Sequence, residues 1–172
     1  MSLPSALGKA LPSLRQSASP ADRICYARDL WPRHHLAVMA GNIAEHAPAA
    51  VVWPETAEQV AETVRFCAQA GIALVPFGAG SGVCGGILPN ENTIILDLKR
   101  MQRVRGIERD LPSITVEAGA LGIRLEEDLN NQGFTLGHFP SSILCSTVGG
   151  WLAARSAGQC SGRYGKIEDM AA

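Results

Sequence analysis

Aromatic residues are scarce in this chain, 5% of 172 residues, and charged residues supply only 18%. The 47% of apolar residues still suffices for one buried core, so a wholly disordered chain is excluded. An excess of one sign of charge is missing as well. With 15 Lys+Arg against 16 Asp+Glu the formal net charge is -1, which leaves no footprint for nucleic acid or an anionic membrane surface. No apolar run approaches the ~18 residues that a spanning helix needs. Residues 1–23 lack a long apolar stretch after a basic residue, so no secretory signal is expected. Cysteine is present but unpaired in pattern: Cys25, Cys67, Cys84, Cys145 and Cys160 are odd in number, with no Cys-x-x-Cys and no histidine at zinc spacing. A disulfide framework and a metal site are therefore not expected, and a cytoplasmic, reducing location is the default.

What the chain has in quantity is glycine, 18 residues in clusters. Residues 1–46 form a leader, rich in Ser, Pro and Ala over 1–22, that reads as extended or partly helical; residues 47–172 read as one domain. A short apolar run, Ala49-Ala-Val-Val-Trp53, closed by Pro54, predicts a strand. Thr56 with Gln59 fits a capping box, Ala57, Val60, Val64 and Cys67 or Ala68 build an apolar stripe, and Gly71 suits a left-handed terminus, so a helix is predicted there. Strands are predicted at 72–75, 93–98, 114–118 and, more weakly, 134–136. Leu121, Leu125 and Leu129 predict a helix closed by Gly133. There is no internal repeat. The order is that of an α+β fold, without the regular alternation of a doubly wound sheet.

The first cluster, Pro76-Phe-Gly-Ala-Gly-Ser-Gly-Val-Cys-Gly-Gly86, contains Gly80-Ser-Gly-Val-Cys-Gly85, a formal G-x-G-x-x-G. The nicotinamide fingerprint requires those glycines to open a helix that crosses to a parallel strand. Only residues 86–92, with Pro89 among them, precede the strand at Thr93, and no three-turn helix fits. Asp97 stands where a ribose-binding acid would be sought, but on a strand. The loop can instead present consecutive amides as an anion-binding nest, or it is a glycine-rich turn. The second cluster, residues 137–158, joins Ser141, Ser142, Ser146 and Thr147 to a Gly149-Gly150 turn. The hydroxyls suit phosphate oxygens or a flavin edge; equally, Thr147 is the N-cap of a helix through Ala157 and the serines are turn residues.

Together Pro76-Phe-Gly-Ala-Gly-Ser-Gly82, Pro140-Ser-Ser, Ser146-Thr-Val-Gly-Gly150 and Tyr164-Gly-Lys-Ile-Glu-Asp169 resemble the FAD-binding half of the vanillyl-alcohol oxidase/p-cresol methylhydroxylase flavoproteins. Within them the second cluster is most similar to the alkylglycerone-phosphate-synthase branch, then to the glycolate oxidase and D-lactate dehydrogenase branch. The resemblance implies the N-terminal part of a p-cresol methylhydroxylase-type FAD-binding domain with FAD as cofactor. It implies that Pro76, Phe77, Gly78, Ala79, Gly80, Ser81 and Gly82 wrap the FAD pyrophosphate, and that Ser141, Ser142, Cys145, Ser146, Thr147, Gly149, Gly150, Ala154, Arg155, Ser156 and Ala157 line the cofactor further along.

Arg155 either meets an FAD phosphate or sits on an exposed helix face. The first loop has no histidine for covalent flavin attachment; Cys145 stands where some relatives carry a flavin-linked cysteine, against the alternative of a small buried thiol. His138, of a Gly-His pair, is the candidate acid/base or substrate-anion group, or a structural histidine. His34 and His35 lie outside the motifs and read as solvated or packing residues. The resemblance further implies a missing cap domain that contacts a small-molecule substrate, so the chain reads as incomplete at its C-terminal end. FAD retention and solubility are expected to be poor. The functional expectation is the FAD-binding portion of an oxidoreductase for a 2-hydroxy acid or alcohol. The alternatives are a synthase-like transferase or a non-catalytic remnant.

Overall fold

The computed structural model describes residues 2–42, 46–108, 110 and 112–172. It consists of two compact units, Met1–Arg100 and Met101–Ala172. In the first unit the leader is built of helix α1 (Leu3–Ala10), strand β1 (Gln16–Ser17), and helices α2 (Pro20–Cys25) and α3 (Pro32–Met39). Each of the three helices carries proline in its first turn, where the missing N–H costs nothing. The strands β2 (Ala50–Val52), β3 (Ala73–Phe77) and β4 (Thr93–Asp97) follow, with helix α4 (Ala57–Ala70) between the first two. Helix α4 begins and ends as its sequence requires. The Thr56 hydroxyl accepts from the Gln59 amide, and Gly71 takes φ 64°.

The sheet runs β1-β2-β4-β3, with β4 parallel to both neighbours and β1 antiparallel on β2. No helix joins β3 to β4; the whole span 78–92 makes the parallel crossover as loop. One sheet face packs Ala50, Val52, Ile94 and Leu96 against Cys67 and against Leu7 and Leu14 of the leader. The other packs Val51, Phe77 and Ile95 against Tyr26, Trp53 and Val75. The leader thus shares both cores with the strands, and the division between units falls at Arg100/Met101, whereas the sequence suggests one near residue 46.

The second unit holds the antiparallel pair β5 (Val104–Glu108) and β6 (Ser113–Val116), helix α5 (Gly122–Asn130), a 3-10 turn at Ile143–Cys145, and helices α6 (Val148–Ala153), α7 (Ser161–Tyr164) and α8 (Ile167–Met170). Its core is Ala120, Leu125, Leu129, Val148, Trp151 and Ile167. Residues 134–136 are not a strand: the buried Glu126 carboxylate of α5 takes up the Thr135 hydroxyl and the Leu136 amide (3.1 Å). Helix α6 stops at Ala153 rather than continuing to Ala157, because Arg155 turns into the left-handed region at φ 50°.

Candidate cofactor site

In the first unit β3 ends at buried Phe77, and the chain then enters the first glycine cluster. The Gly78 carbonyl accepts from Lys99 Nζ (3.0 Å), and the same ammonium lies 2.7 Å from Asp97 Oδ2. Asp97 is fully buried at the end of β4 and also accepts from the Tyr26 hydroxyl, from Trp53 Nε1 (3.1 Å) and from the Lys99 amide (2.8 Å). A buried carboxylate is tolerated only with such compensation. Burial, with the Asp97 carboxylate beside it, pushes the Tyr26 phenol well above its ordinary range. Gly80 has φ 69°, and a Cβ there would lie 2.7 Å from Phe77 Cζ, so the bend admits only glycine.

The amides of residues 78–84 find no acceptor among the described residues, whereas the Gly86 amide is held by Asp29 Oδ2 (3.1 Å). Residues 78–81 are half-buried and 82–84 exposed. A run of N–H groups without a protein partner, beside solvent, is the donor set that a diphosphate requires.

In the second unit the hydroxyls expected to meet the cofactor divide into two sets. Ser146 and Thr147 are buried and internally engaged. Ser146 Oγ donates to the Ser142 carbonyl (2.7 Å) and accepts from Trp151 Nε1 (2.7 Å). Thr147 Oγ1 caps α6 by accepting from the Gly150 amide (3.3 Å), the N-cap alternative of the sequence. The Val148 and Gly149 amides bond the Ala120 and Ala118 carbonyls (3.0 and 2.8 Å). A Cβ on Gly149 would stand 2.7 Å from the Ala118 Cβ, so this glycine answers to backbone packing. Ser141 and Ser142, by contrast, keep hydroxyl and amide donors without a partner among the described residues, and Gly150 is exposed. Cys145 is exposed at the end of the 3-10 turn, which corrects the alternative of a small buried thiol.

His138 is 1% exposed. Its Nε2 lies 2.7 Å from Ser156 Oγ, its ring packs edge-on against Trp151 (4.9 Å between centroids), and its Nδ1 has no partner among the described residues. Burial lowers the imidazole pKa from its ordinary value. The residue before it, Gly137, is at φ 72° with the Tyr164 ring where a Cβ would be. Arg155 is paired with Glu168 through two hydrogen bonds (2.5 and 2.9 Å), and Lys166 adds a third (2.7 Å). Together they hold the Glu168 carboxyl down at about 2. Ala154 and Ala157 are exposed and Ser156 half-buried.

Tyr26, Asp29, Trp53, Lys99 and Glu126 support these loops and were not singled out from sequence for doing so. The signal available was a charge inside an apolar run, as with Asp97 after Ile94-Ile-Leu96. The partners come from distant segments and leave no local pattern.

The fold of the first unit is a largely parallel sheet whose β3–β4 crossover is a glycine loop with amides unpartnered among the described residues. A family model described as "FAD binding domain" matches residues 48–172, and the chain belongs to that family, with FAD as its cofactor. The alkyldihydroxyacetonephosphate synthase of Dictyostelium discoideum is 37% identical over 142 residues, 81% of this chain and 23% of that protein. Glycolate oxidase subunit GlcD of Bacillus subtilis is 26% identical over 151 residues, covering 88% and 30%. A solved alkyldihydroxyacetonephosphate synthase superposes with TM-score 0.89 at 32% identity, over 96% of this chain and 33% of that one. p-Cresol methylhydroxylase with substrate bound gives 0.71 at 21% identity, over 89% and 29%, a likeness of fold. The architecture is therefore the p-cresol methylhydroxylase-type FAD-binding fold, and the chain spans between about a quarter and a third of the length of these relatives.

Proposed function

We propose that the chain is the FAD-binding portion of a flavin-dependent oxidoreductase acting on a 2-hydroxy acid or related alcohol, with the substrate contacted by a further domain. The observation that carries the cofactor role is the run of unpartnered amides at residues 78–84 beside a latched Gly78 carbonyl. In this reading the segment Pro76, Phe77, Gly78, Ala79, Gly80, Ser81 and Gly82 wraps the diphosphate; Pro76 and Phe77 end β3 and shape the bend, and the main-chain N–H groups from Gly78 onward donate, which needs no counter-charge from a side chain. Ser141 and Ser142 supply the free hydroxyls of the second cluster, and Cys145 and Gly150 are exposed further along it. Ser146, Thr147 and Gly149 act one step back, fixing the shape of that loop.

His138 takes a positioning role in place of acid/base catalysis. A neutral ring that donates from Nε2 to Ser156 leaves only a lone pair unsatisfied at Nδ1, a cheaper orphan than an N–H. Ala154, Arg155, Ser156 and Ala157 form the turn that follows, with Arg155 braced by Glu168. When bound, the flavin supplies two-electron redox chemistry, and the protein positions and tunes it. Exposed thiols at Cys25, Cys84 and Cys145 support a reducing, cytoplasmic location. The greater likeness to the synthases favours a second reading, a transferase in which the flavin undergoes no net redox change.

FAD titration of the chain followed by flavin fluorescence is expected to show weak, saturable binding, in keeping with poor retention, that Gly80→Asp abolishes. Equal binding by both removes the amide-nest assignment. Adding D-lactate or glycolate to a flavin-loaded protein that includes the substrate-contacting domain then separates the readings: bleaching of the visible flavin band supports the oxidoreductase, and an unchanged band the transferase.

A further inference from the structure

The glycine loop is held at both ends, and both holds reach back to residues 26–34, before the start of the family match at residue 48. At the entry, the Tyr26 hydroxyl donates to Asp97, and the Tyr26 ring packs on Phe77 (4.8 Å between centroids). Asp97 in turn pairs with the Lys99 ammonium that fixes the Gly78 carbonyl. At the exit, Asp29 gathers three donors: the Gly86 amide (3.1 Å), the Trp31 amide (3.0 Å) and His34 Nδ1 (2.9 Å). Next to it the Leu30 amide donates to the Gly82 carbonyl (2.8 Å). Asp29 and His34 are 4% and 5% exposed, so these bonds form away from water. Glycine is required at Gly85 by the same contacts: at φ 67°, a Cβ there would lie 2.6 Å from the Trp31 ring.

We propose that residues 26–34 are a positioning element of the diphosphate-binding loop, with Asp29 its principal residue. The proposal rests on the FAD reading above and extends it. A loop containing Gly78, Gly80, Gly82, Gly85 and Gly86 has more backbone freedom to lose than any other kind, and ordering it on binding would weaken affinity. Latching both ends during folding removes that cost from the binding step and leaves the amides between the latches without a protein partner. The exit latch also sorts the glycines: Gly80 belongs to the bend over Phe77, while Gly85 accommodates the Trp31 ring. A carboxylate near an anion site would repel the ligand, and the His34 N–H bonded to it offsets that charge.

The test is an NMR titration of the ¹⁵N-labelled chain with ADP, which carries the diphosphate, and with adenosine, which lacks it. Wild type is expected to show ADP-specific shifts at the amides of residues 78–84, absent in Gly80→Asp. If wild type shows none, the diphosphate site and the clamp both fall. Given that response, Asp29→Ala is expected to weaken ADP about tenfold, one charged hydrogen bond's worth, with adenosine unaffected and the spectrum still dispersed. Asp29→Asn, which keeps one acceptor oxygen, is expected to fall between. Should Asp29→Ala fail to fold, Gly86→Pro removes the donor that Asp29 binds and predicts the same loss. ADP affinity equal to wild type in a folded Asp29→Ala or Gly86→Pro chain overturns the clamp while leaving the diphosphate site standing.

Discussion

A methyl group on Gly149 would stand 2.7 Å from the Ala118 Cβ and 2.9 Å from the Ala118 carbonyl, both on the backbone side of a close crossing. Neither neighbour can rotate away, so Gly149→Ala is expected to destabilise the chain by ~1–3 kcal/mol, the usual cost of overpacking. Its neighbour Gly150 is exposed, and its nearest atom is the Thr147 hydroxyl at 3.1 Å, so Gly150→Ala is expected to stay within about 1 kcal/mol of wild type. Urea midpoints of the two variants check the contrast.

His138 gives a pH signature at the same scale. Its folded-state pKa is lowered by burial, so the unfolded chain takes up the proton first. The stability this provides is complete above the ordinary imidazole value of 6.5 and is lost as pH falls below it. Urea midpoints measured at pH 7.5 and 5.5 should drop on acidification in wild type, and drop less in His138→Gln.

Helix α4 and strand β4 are the elements most legible from sequence, and the reason is local. A capping hydroxyl, a periodic stripe and a glycine at φ 64° define the helix within its own residues, and Thr93-Ile-Ile-Leu is buried throughout. Strands β1 and β5 were not legible. The first is two residues long and exists through its pairing with β2, and the second is interrupted by Arg105 and Gly106 at a register shift. Residues 134–136 had the composition of a strand, but buried Glu126 claims Leu136 N and Thr135 instead.

The end of α6 is likewise decided at a distance, where Arg155 meets Glu168 of α8. With the Glu168 carboxyl drawn from 4.5 to about 2, this brace is present above pH 4.5 and is lost as pH falls toward 2. Both side chains face water, so added salt should weaken the effect. Thermal melts between pH 5 and 2.5 are expected to fall more steeply for wild type than for Glu168→Gln, with the difference shrinking in 1 M salt.

At the scale of the whole molecule, the two cofactor motifs were legible because they are contiguous, and the support beneath them was not. Leu7 and Leu14 of the leader are 0% and 5% exposed in the core that backs β2 and β4, and β1 pairs Gln16 and Ser17 with Val52 and Val51. A chain begun at residue 47, the boundary that composition suggests, would lose those two leucines at ~1.5–3 kcal/mol each. It would also expose the β2 edge, and with it go Tyr26 from the Asp97 cluster and Asp29 from the loop exit. The leucines alone amount to ~3–6 kcal/mol, a large share of the ~5–15 kcal/mol that holds a typical domain folded. Deleting residues 2–46 is therefore expected to give an insoluble product or a collapsed, poorly dispersed NMR spectrum. Replacing Leu7 and Leu14 together by Ala should lower the urea midpoint while leaving the loop latches in place. A soluble 47–172 chain with a wild-type spectrum for β2–β4 would show that the strands and α4 hold that core unaided.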